Sequence, residues 1–142
     1  MEEKKILDLI DTDSDSLARE IGKILIEKKG VDIRIYDIRS TEGITDYYVN
    51  ATGRSSTHVA SLADDLVDIV GSRGRNELRV EGKRGNAWIL VDYGDVIVNI
   101  FDRESRSFYN FDRLLPEGSE IDISGLIAEV DKKFELNKKE EV

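Results

Sequence analysis

The fold is decided by residues 88–101, which read WILVDYGDVIVNIF. Two runs rich in apolar and β-branched residues flank the pair Tyr93-Gly94, and this pattern predicts two antiparallel strands joined by a tight turn. Such a turn needs its glycine, which adopts positive φ angles without steric cost. It does not need the chain's only tryptophan, Trp88, or the carboxylates of Asp92 and Asp95 beside the turn. The aromatic and acidic residues therefore mark the hairpin as a candidate functional region.

The composition is that of a globular protein with a real hydrophobic core. The chain has 142 residues, of which 39% are hydrophobic and 36% are charged. We expect one domain over residues 1–142, ending in a short charged tail at residues 137–142. No apolar run approaches the roughly 20 residues that span a bilayer, and the first residues are charged, so we expect a soluble, cytoplasmic protein that does not contact membranes. The absence of cysteine excludes disulfides, thiolate nucleophiles and sulfur-ligated metals.

The formal net charge of −9 bears on the kind of partner. Affinity for nucleic acid comes largely from lysine and arginine, so the charge disfavours broad nucleic-acid binding and favours a basic protein partner. A local basic stretch runs from Arg73 to Arg84 and would allow a minor RNA contact on a ribonucleoprotein. Glu77 and Glu81 interrupt that stretch and it holds no aromatic residue, so a solvated surface is the simpler interpretation.

Hydrophobic periodicity predicts the remaining elements. In chain order these are a helix carrying Leu17, Ile21, Ile24 and Leu25, strands at 33–38 and 47–51, a helix with an apolar stripe over 59–70, a short strand at 78–81, the hairpin, helical turns within 108–115, and a helix beginning near Ser124. Ser55 and Ser56 are candidate helix caps, and the lone His58 beside them is expected to cap or lie at the surface. Strands as apolar as those of the hairpin suit a sheet covered on both faces. The order predicts an α/β fold with a mixed β-sheet of about five strands covered by helices.

A series of short motifs extends this pattern over most of the chain between about residues 14 and 122. In order they are Asp37-Ile38, Asp46-Tyr47-Tyr48-Val49, Gly53-x-Ser55-Ser56, Arg79-Val80-Glu81-Gly82, residues 88–95, Phe101, Arg106-x-Phe108-Tyr109 and Asp112-x-x-Leu115. Their order and spacing resemble the Iojap or ribosomal silencing factor family. The resemblance implies an α/β fold whose topology is loosely like that of nucleotidyltransferases.

That topology raises the alternative of a metal-dependent nucleotidyltransferase-like enzyme or a nucleotide-binding protein. Such an enzyme needs a Gly-Ser turn for phosphates and two carboxylates on one strand for metal ions. Residues 53–56 supply the turn, but Asp64 and Asp65 are neighbours on a predicted helix, where side chains point about 100° apart. Asp92 and Asp95 could reach one magnesium ion, although aspartates are common in hairpin turns for local hydrogen bonds. We therefore expect no catalytic residue, no metal site and no cofactor.

A recognition surface is the stronger hypothesis for the hairpin. Tyrosine and tryptophan bury a large area at low entropic cost, and nearby carboxylates steer basic partners. Three aromatic and three acidic residues would form such a patch if their elements converge, namely Trp88, Tyr93, Tyr109, Asp92, Asp95 and Asp112. A tryptophan on a strand is also common in cores, so a structural role for Trp88 stays open.

The resemblance implies a specific partner. Family members bind the large ribosomal subunit through the ribosomal protein uL14 and so block subunit joining and translation when nutrients are scarce. Carried over residue by residue, the family's functional surface comprises Trp88, Asp92, Tyr93, Asp95, Arg106, Tyr109, Asp112 and Leu115, together with Asp46 and Tyr47. Asn99 stands where the family usually has histidine, which weakens any polar contact there. Leu115 stands where it usually has tryptophan, which removes a large anchor. Family members often self-associate, and Phe101, Phe108 or Phe111 could contribute to a homodimer.

Overall fold

The computed structural model describes residues 8–140 and is built from five strands, four α-helices and one 3-10 helix in that part of the chain. The α-helices are α1 (Ser14–Glu27), α2 (Ser56–Ser72), α3 (Arg103–Tyr109) and α4 (Ser124–Glu140), and the 3-10 helix spans Phe111–Leu114. The strands are β1 (Val31–Asp37), β2 (Tyr47–Gly53), β3 (Arg79–Glu81), β4 (Trp88–Asp92) and β5 (Val96–Asp102). The predicted order of elements and the α/β class are confirmed.

The strands form one mixed sheet in the order β1-β2-β5-β4-β3. Strands β2 and β5 are parallel and in continuous register from Tyr47 opposite Val96 to Gly53 opposite Asp102. The other three neighbouring pairs are antiparallel. The chain therefore leaves β2, builds α2 and the outer strands, and returns to the centre of the sheet as β5.

The hairpin of β4 and β5 turns one residue later than the sequence predicts. Asp92 pairs with Ile97, and the Tyr93 N–H donates to the Val96 carbonyl at 2.9 Å, so Gly94 and Asp95 are the two central residues. Gly94 has a φ of +91°, the value that type II′ hairpin turns require at their first central position. The Gly94 N–H also donates to Asp92 Oδ1 at 2.7 Å. The predicted glycine is thus in place, and Asp92 makes the local bond expected of a turn aspartate.

One face of the sheet carries the hydrophobic core. Helices α1 and α2 pack on it, and α4 packs on α1. The buried strand residues of this face include Ile35, Val49, Ala51, Ile89, Val91, Val98 and Ile100. The side chain of Asp13 caps α1, and that of Ser55 caps α2, which confirms the cap predicted at Ser55. The only histidine, His58, accepts a hydrogen bond from the Arg54 N–H at 2.9 Å through Nδ1, which confirms its capping role.

The opposite face, here called the polar face, carries the alternate residues of the same strands. They include Tyr36, Tyr48, Asn50, Thr52, Trp88, Leu90, Asp92, Asn99 and Phe101. Residues 103–114, here called the α3 cover, lie against it. Helix α3 begins directly after β5, earlier than the predicted helical turns, because Asp102 Oδ1 accepts from the Ser105 N–H at 2.7 Å and caps it. Asn110 ends α3 with a φ of +50° and lets the 3-10 helix fold back over the sheet.

The last helix extends further than the sequence predicts. Helix α4 continues to Glu140, through the start of the predicted tail at residue 137, while residues 141 and 142 lie outside the described residues. Its apolar stripe buries Leu126 and Val130, whereas Ile127 and Phe134 stay partly exposed. Among the helices of residues 8–140, none has the length and apolarity that crossing a membrane requires.

Candidate functional site

The structure distributes the predicted site residues over three environments. Six of them lie on the polar face, in the α3 cover or immediately after it, namely Trp88, Asp92, Arg106, Tyr109, Asp112 and Leu115. Asp46 and Asp95 meet at the end of the hairpin, where the Asp46 N–H donates to the Asp95 carbonyl at 3.0 Å. The rings of Tyr47 and Tyr93 lie in the hydrophobic core. The predicted patch is thus resolved into a main surface, a second small cluster and two core residues.

Asp112 is the centre of a polar network that joins the α3 cover to the sheet. Its carboxylate accepts from Arg106 Nε at 3.0 Å and from Arg106 Nη2 at 3.2 Å. The same carboxylate accepts from the Tyr36 hydroxyl at 2.8 Å and from Asn50 Nδ2 at 3.0 Å. Arg106, which is 8% exposed, also donates to Thr52 Oγ1 at 2.9 Å. Arg106 and Asp112 thus hold the cover in place on β1 and β2.

Burial and hydrogen bonding act in opposite directions on the pKa of Asp112. Burial raises it, but the hydrogen bonds from Arg106, Asn50 and Tyr36 and the charge of Arg106 together hold it below its usual value. Burial and the bond to Asp112 raise the pKa of Tyr36 well above its usual value. The ionised carboxylate is therefore the form that the network stabilises.

The network continues through Asn99 to the tryptophan. Trp88 Nε1 donates to Asn99 Oδ1 at 3.0 Å, and Asn99 Nδ2 donates to Asn50 Oδ1 at 3.1 Å. Asn99 is only 1% exposed, so its side chain contacts its neighbours and not the surface. Asn99 is therefore an internal link that orients Trp88, and the polar contacts at this position lie within the protein.

Aromatic packing holds the same tryptophan from the other side. The ring centroid of Trp88 lies 4.9 Å from that of Phe101, 5.1 Å from that of Tyr109 and 5.9 Å from that of Phe111. Phe111 in turn contacts Tyr48 edge to face at 5.0 Å. Trp88 stays partly exposed despite these contacts. Trp88 therefore packs under the α3 cover as a structural residue and also keeps an accessible edge. The core role and the binding role predicted for it each describe part of this environment.

The α3 cover presents large apolar side chains to solvent. Phe108 is 79% exposed, Leu114 is 78% exposed and Tyr109 is 51% exposed, and these three residues are here called the α3 rim. The sequence predicts Tyr109 as a site residue and Phe108 only as a residue of a dimer contact or of the core, and it does not single out Leu114. The pair Phe108-Tyr109 is a signal in the sequence, because two successive side chains of one short helix cannot both face the sheet. Of the other phenylalanines proposed for a dimer, Phe101 is fully buried and Phe111 is half-buried.

The carboxylates beside the hairpin turn bind different arginines. Asp95 Oδ1 accepts from Arg75 Nη2 at 2.6 Å, and Asp92 Oδ2 accepts from Arg79 Nε at 3.2 Å. Within residues 8–140 no group of three or more histidine, cysteine, aspartate or glutamate residues has the arrangement of a metal site. On α2, Asp64 forms an exposed ion pair with Lys83 at 2.7 Å. The contacts of these aspartates are those of turn residues and surface ion pairs, and they favour a structural role over metal binding.

The two tyrosines of the core are closed to a partner in this conformation. Tyr47 is fully buried and donates from its hydroxyl to Asp15 Oδ2 at 2.9 Å. Tyr93 is 3% exposed, and its hydroxyl finds no hydrogen-bond partner among the described residues. Burial raises the pKa of Tyr93 well above its usual value. Both rings point to the core face of the sheet, so the assignment of Tyr47 and Tyr93 to a partner-binding surface stays a prediction.

Comparison with known proteins agrees with the motifs and the fold. The family model described as "Ribosomal silencing factor during starvation" matches residues 11–141. The chain is 33% identical over 110 residues to "Ribosomal silencing factor RsfS" of Zymomonas mobilis, which covers 78% of this chain and 83% of that protein. It is 38% identical over 86 residues to the protein of the same name from Haemophilus influenzae, which covers 61% and 84%. A solved structure from Chromobacterium violaceum superimposes with a TM-score of 0.70 at 26% identity, covering 72% of this chain and 86% of that one. The resemblance seen in the sequence is confirmed, and the chain belongs to the ribosomal silencing factor family.

Proposed function

We propose that this protein represses translation by binding the large ribosomal subunit through the ribosomal protein uL14 and blocking its association with the small subunit. Membership of the silencing factor family supports the translation-repressing role, and the relatives are named as silencing factors and not as enzymes. The same proposal places its action in the cytoplasm, with its ribosomes. The observation that carries a docking function is the α3 rim, three large apolar side chains exposed on one short segment.

The α3 rim has the properties of a binding surface. Exposed apolar side chains that lie together are uncommon on monomeric proteins and often mark protein-binding sites. Trp88 and Tyr109 add the aromatic character that is enriched among binding hot spots. Asp92 is partly exposed on the polar face, at the other end of β4 from Trp88, and contributes an acidic group to that face. We infer that a partner covers the α3 rim together with the accessible edge of Trp88.

The position of the α3 rim is set before any partner binds. The network around Asp112 and Arg106 attaches the α3 cover to β1 and β2, and the aromatic contacts of Trp88 attach it to β4 and β5. A preorganised surface loses less conformational entropy on binding, which leaves more of the contact energy as affinity. Arg106 and Asp112, which the family resemblance assigns to the contact surface, contribute to binding in this proposal by holding the rim.

The net charge of −9 supports a basic partner such as a ribosomal protein. Opposite charge accelerates encounter and disfavours wrong partners more than it adds affinity. In this proposal the α3 rim contributes most of the binding free energy, and the surrounding negative charge increases the association rate. A protein of this size on the subunit-joining face would exclude the small subunit sterically.

Cosedimentation with isolated large subunits tests the proposal. The double variant Phe108→Ala and Leu114→Ala removes two exposed side chains, so we expect a normal fold and about a tenfold or greater loss of affinity. Leu136→Ala is the matched control, because Leu136 is 53% exposed on α4 and lies outside the α3 cover. We expect it to bind as the wild type does. A correctly folded double variant that pellets normally would refute the docking assignment.

A second measurement tests the inhibitory step itself. Large subunits preincubated with the protein are mixed with small subunits, and the joined ribosomes are separated by sedimentation. We expect fewer joined ribosomes with the wild type and Leu136→Ala, and near-normal joining with the double variant. Binding without any effect on joining would leave the partner assignment in place and refute the blocking mechanism.

A further inference from the structure

The topology of the sheet creates a crevice that the docking function does not use. The chain passes from β2 into α2 on the core face, and from the neighbouring parallel strand β5 into α3 on the polar face. Ligands of open α/β sheets bind at the carboxyl ends of parallel strands, at the point where adjacent strands send their connections to opposite faces. In this protein that point lies after Gly53 and Asp102, which face each other in register.

A cleft of about 570 Å³ opens at this edge, between α3 and strand β1. Pockets of roughly 300–1,000 Å³ accommodate small molecules. Hydrogen-bond donors line the cleft, with side chains of Arg34, Arg103, Arg106, Ser107 and Asn110. We propose that this cleft binds the phosphate group of a small phosphorylated ligand, of the size of a mononucleotide or smaller.

One of the three arginines that line the cleft has no carboxylate partner. Arg106 pairs with Asp112 at 3.0 Å, and Arg34 pairs with Asp32 at 2.9 Å and with Glu120 at 3.2 Å. Arg103 forms no ion pair among the described residues, so its charge is not balanced. A protein with a net charge of −9 therefore presents, at the wall of a cleft, an exposed guanidinium that has no ion-pair partner.

A second unpaired arginine lies next to the first along the sheet edge. Arg54 follows Gly53 and Arg103 follows Asp102, so the two residues leave adjacent parallel strands at the same level. Within the described part of the chain seven arginines form ion pairs, and four do not, namely Arg54, Arg84, Arg103 and Arg113. Two of these four therefore follow the paired ends of β2 and β5, and one of the two, Arg103, lines the cleft.

The donors identify the chemistry of the ligand. Guanidinium groups bind phosphate through two parallel hydrogen bonds, and the Ser107 hydroxyl and Asn110 amide can donate to the remaining oxygens. The residues that line the cleft within the described chain include no aromatic ring, so the phosphate and not a stacked base would carry the affinity. The site is also separate from the α3 rim, because Tyr109 contacts Trp88 on the β4 side of α3 whereas the cleft lies on the β1 side.

Isothermal titration calorimetry on the full chain tests the proposal with inorganic pyrophosphate and with ADP. We expect both to bind the wild type, and the double variant Arg54→Ala and Arg103→Ala to bind about tenfold or more weakly, because charge-assisted bonds to phosphate are lost. The matched control is Arg84→Ala with Arg113→Ala, which removes the same charge from the other two unpaired arginines. We expect the control to bind as the wild type does.

The remaining outcomes are decisive as well. Absence of binding to the wild type, or an equal loss in both double variants, would refute a defined site. A short single-stranded RNA forms a third arm of the titration, and binding of RNA without binding of pyrophosphate or ADP would refute a small-ligand site. Equal affinity for pyrophosphate and ADP would confirm that the phosphate alone is recognised. None of these readouts involves the ribosome, so they are independent of the docking proposal.

Discussion

Asp112 is the single residue on which the position of the α3 cover depends most. Its carboxylate joins Arg106 to Tyr36 and Asn50, so Asp112→Asn removes the charge that all three donors contact. Breaking a partly buried charged pair leaves the partner's charge uncompensated, and we expect a loss of about 2 kcal/mol in the free energy of unfolding. Urea denaturation followed by the fluorescence of Trp88 measures this loss. Asp64→Asn is the control, because its exposed ion pair should contribute less than about 0.5 kcal/mol.

The pH dependence of the same variant separates charge from packing. Because the pKa of Asp112 in the folded state lies below its usual value of 3.8, its contribution to stability is full above that value and is lost as the pH falls through the folded-state pKa. The difference in stability between wild type and Asp112→Asn should therefore be constant above about pH 5 and should narrow below about pH 4. A difference that stays constant down to pH 3 would contradict the assigned role of the ionised carboxylate.

Tyr93 provides a test that distinguishes a core residue from a contact residue. Its hydroxyl is buried without a hydrogen-bond partner among the described residues, and such a group costs free energy on folding. We expect Tyr93→Phe to leave stability unchanged or to raise it by up to about 1 kcal/mol, and to leave binding to large subunits unchanged. Thermal denaturation and cosedimentation measure the two effects. A stable Tyr93→Phe variant with weak ribosome binding would show that the hydroxyl contacts the partner after all.

At the scale of the elements, the hairpin depends on one glycine. The φ of +91° at Gly94 is unfavourable for any residue with a Cβ, and an added Cβ would also lie 3.3 Å from Leu78 Cδ1. We expect Gly94→Ala to lower the free energy of unfolding by about 1–3 kcal/mol. Gly85→Ala is the control, because a Cβ at Gly85 would meet no atom of the described chain within 4 Å. Equal stability of the two variants in chemical denaturation would contradict the strain argument.

The elements that were predicted well are those with a strong hydrophobic period. Apolar stripes and side-chain caps predict helices α1 and α2. Two apolar runs around a glycine predict the hairpin. The sequence places the start of α3 too late, because Asp102 is both the last residue of β5 and the N-cap of α3. The turn was placed one residue early because both Tyr93-Gly94 and Gly94-Asp95 are plausible turn pairs, and only the strand register decides between them.

The candidate site was harder to predict because burial is set by tertiary contacts. The sequence gives Tyr93 and Tyr109 the same chemistry, yet Tyr93 enters the core while Tyr109 lies at the surface of the α3 cover. The network through Asn99 and Asn50 joins residues that are far apart in the chain, so no local pattern reveals it. A family resemblance transfers such residues as a set, and only the structure separates the exposed residues from the buried ones.

At the scale of the whole molecule, two surfaces are placed on opposite sides of one short helix. Tyr109 of the α3 rim contacts Trp88 on the β4 side, and the cleft proposed to bind phosphate lies on the β1 side and is lined by Arg103. Both depend on the attachment of α3 by Arg106, whose guanidinium contacts Thr52 on the sheet and Asp112 in the cover. A ligand in the cleft would therefore contact the same helix that presents the docking surface.

The net charge of −9 predicts how docking responds to salt. Charges separated by more than about 10 Å are largely screened at 0.1 M ionic strength, so the association rate with large subunits should fall as salt rises. The Phe108→Ala and Leu114→Ala variant removes no charge and should dissociate faster while keeping the same salt dependence of association, because the rim supplies contact and not steering. Rapid-mixing measurements over a series of salt concentrations give both rates. An association rate of the wild type that is independent of salt, or a changed salt dependence in the variant, would contradict this separation of roles between the charge of the whole molecule and the apolar rim.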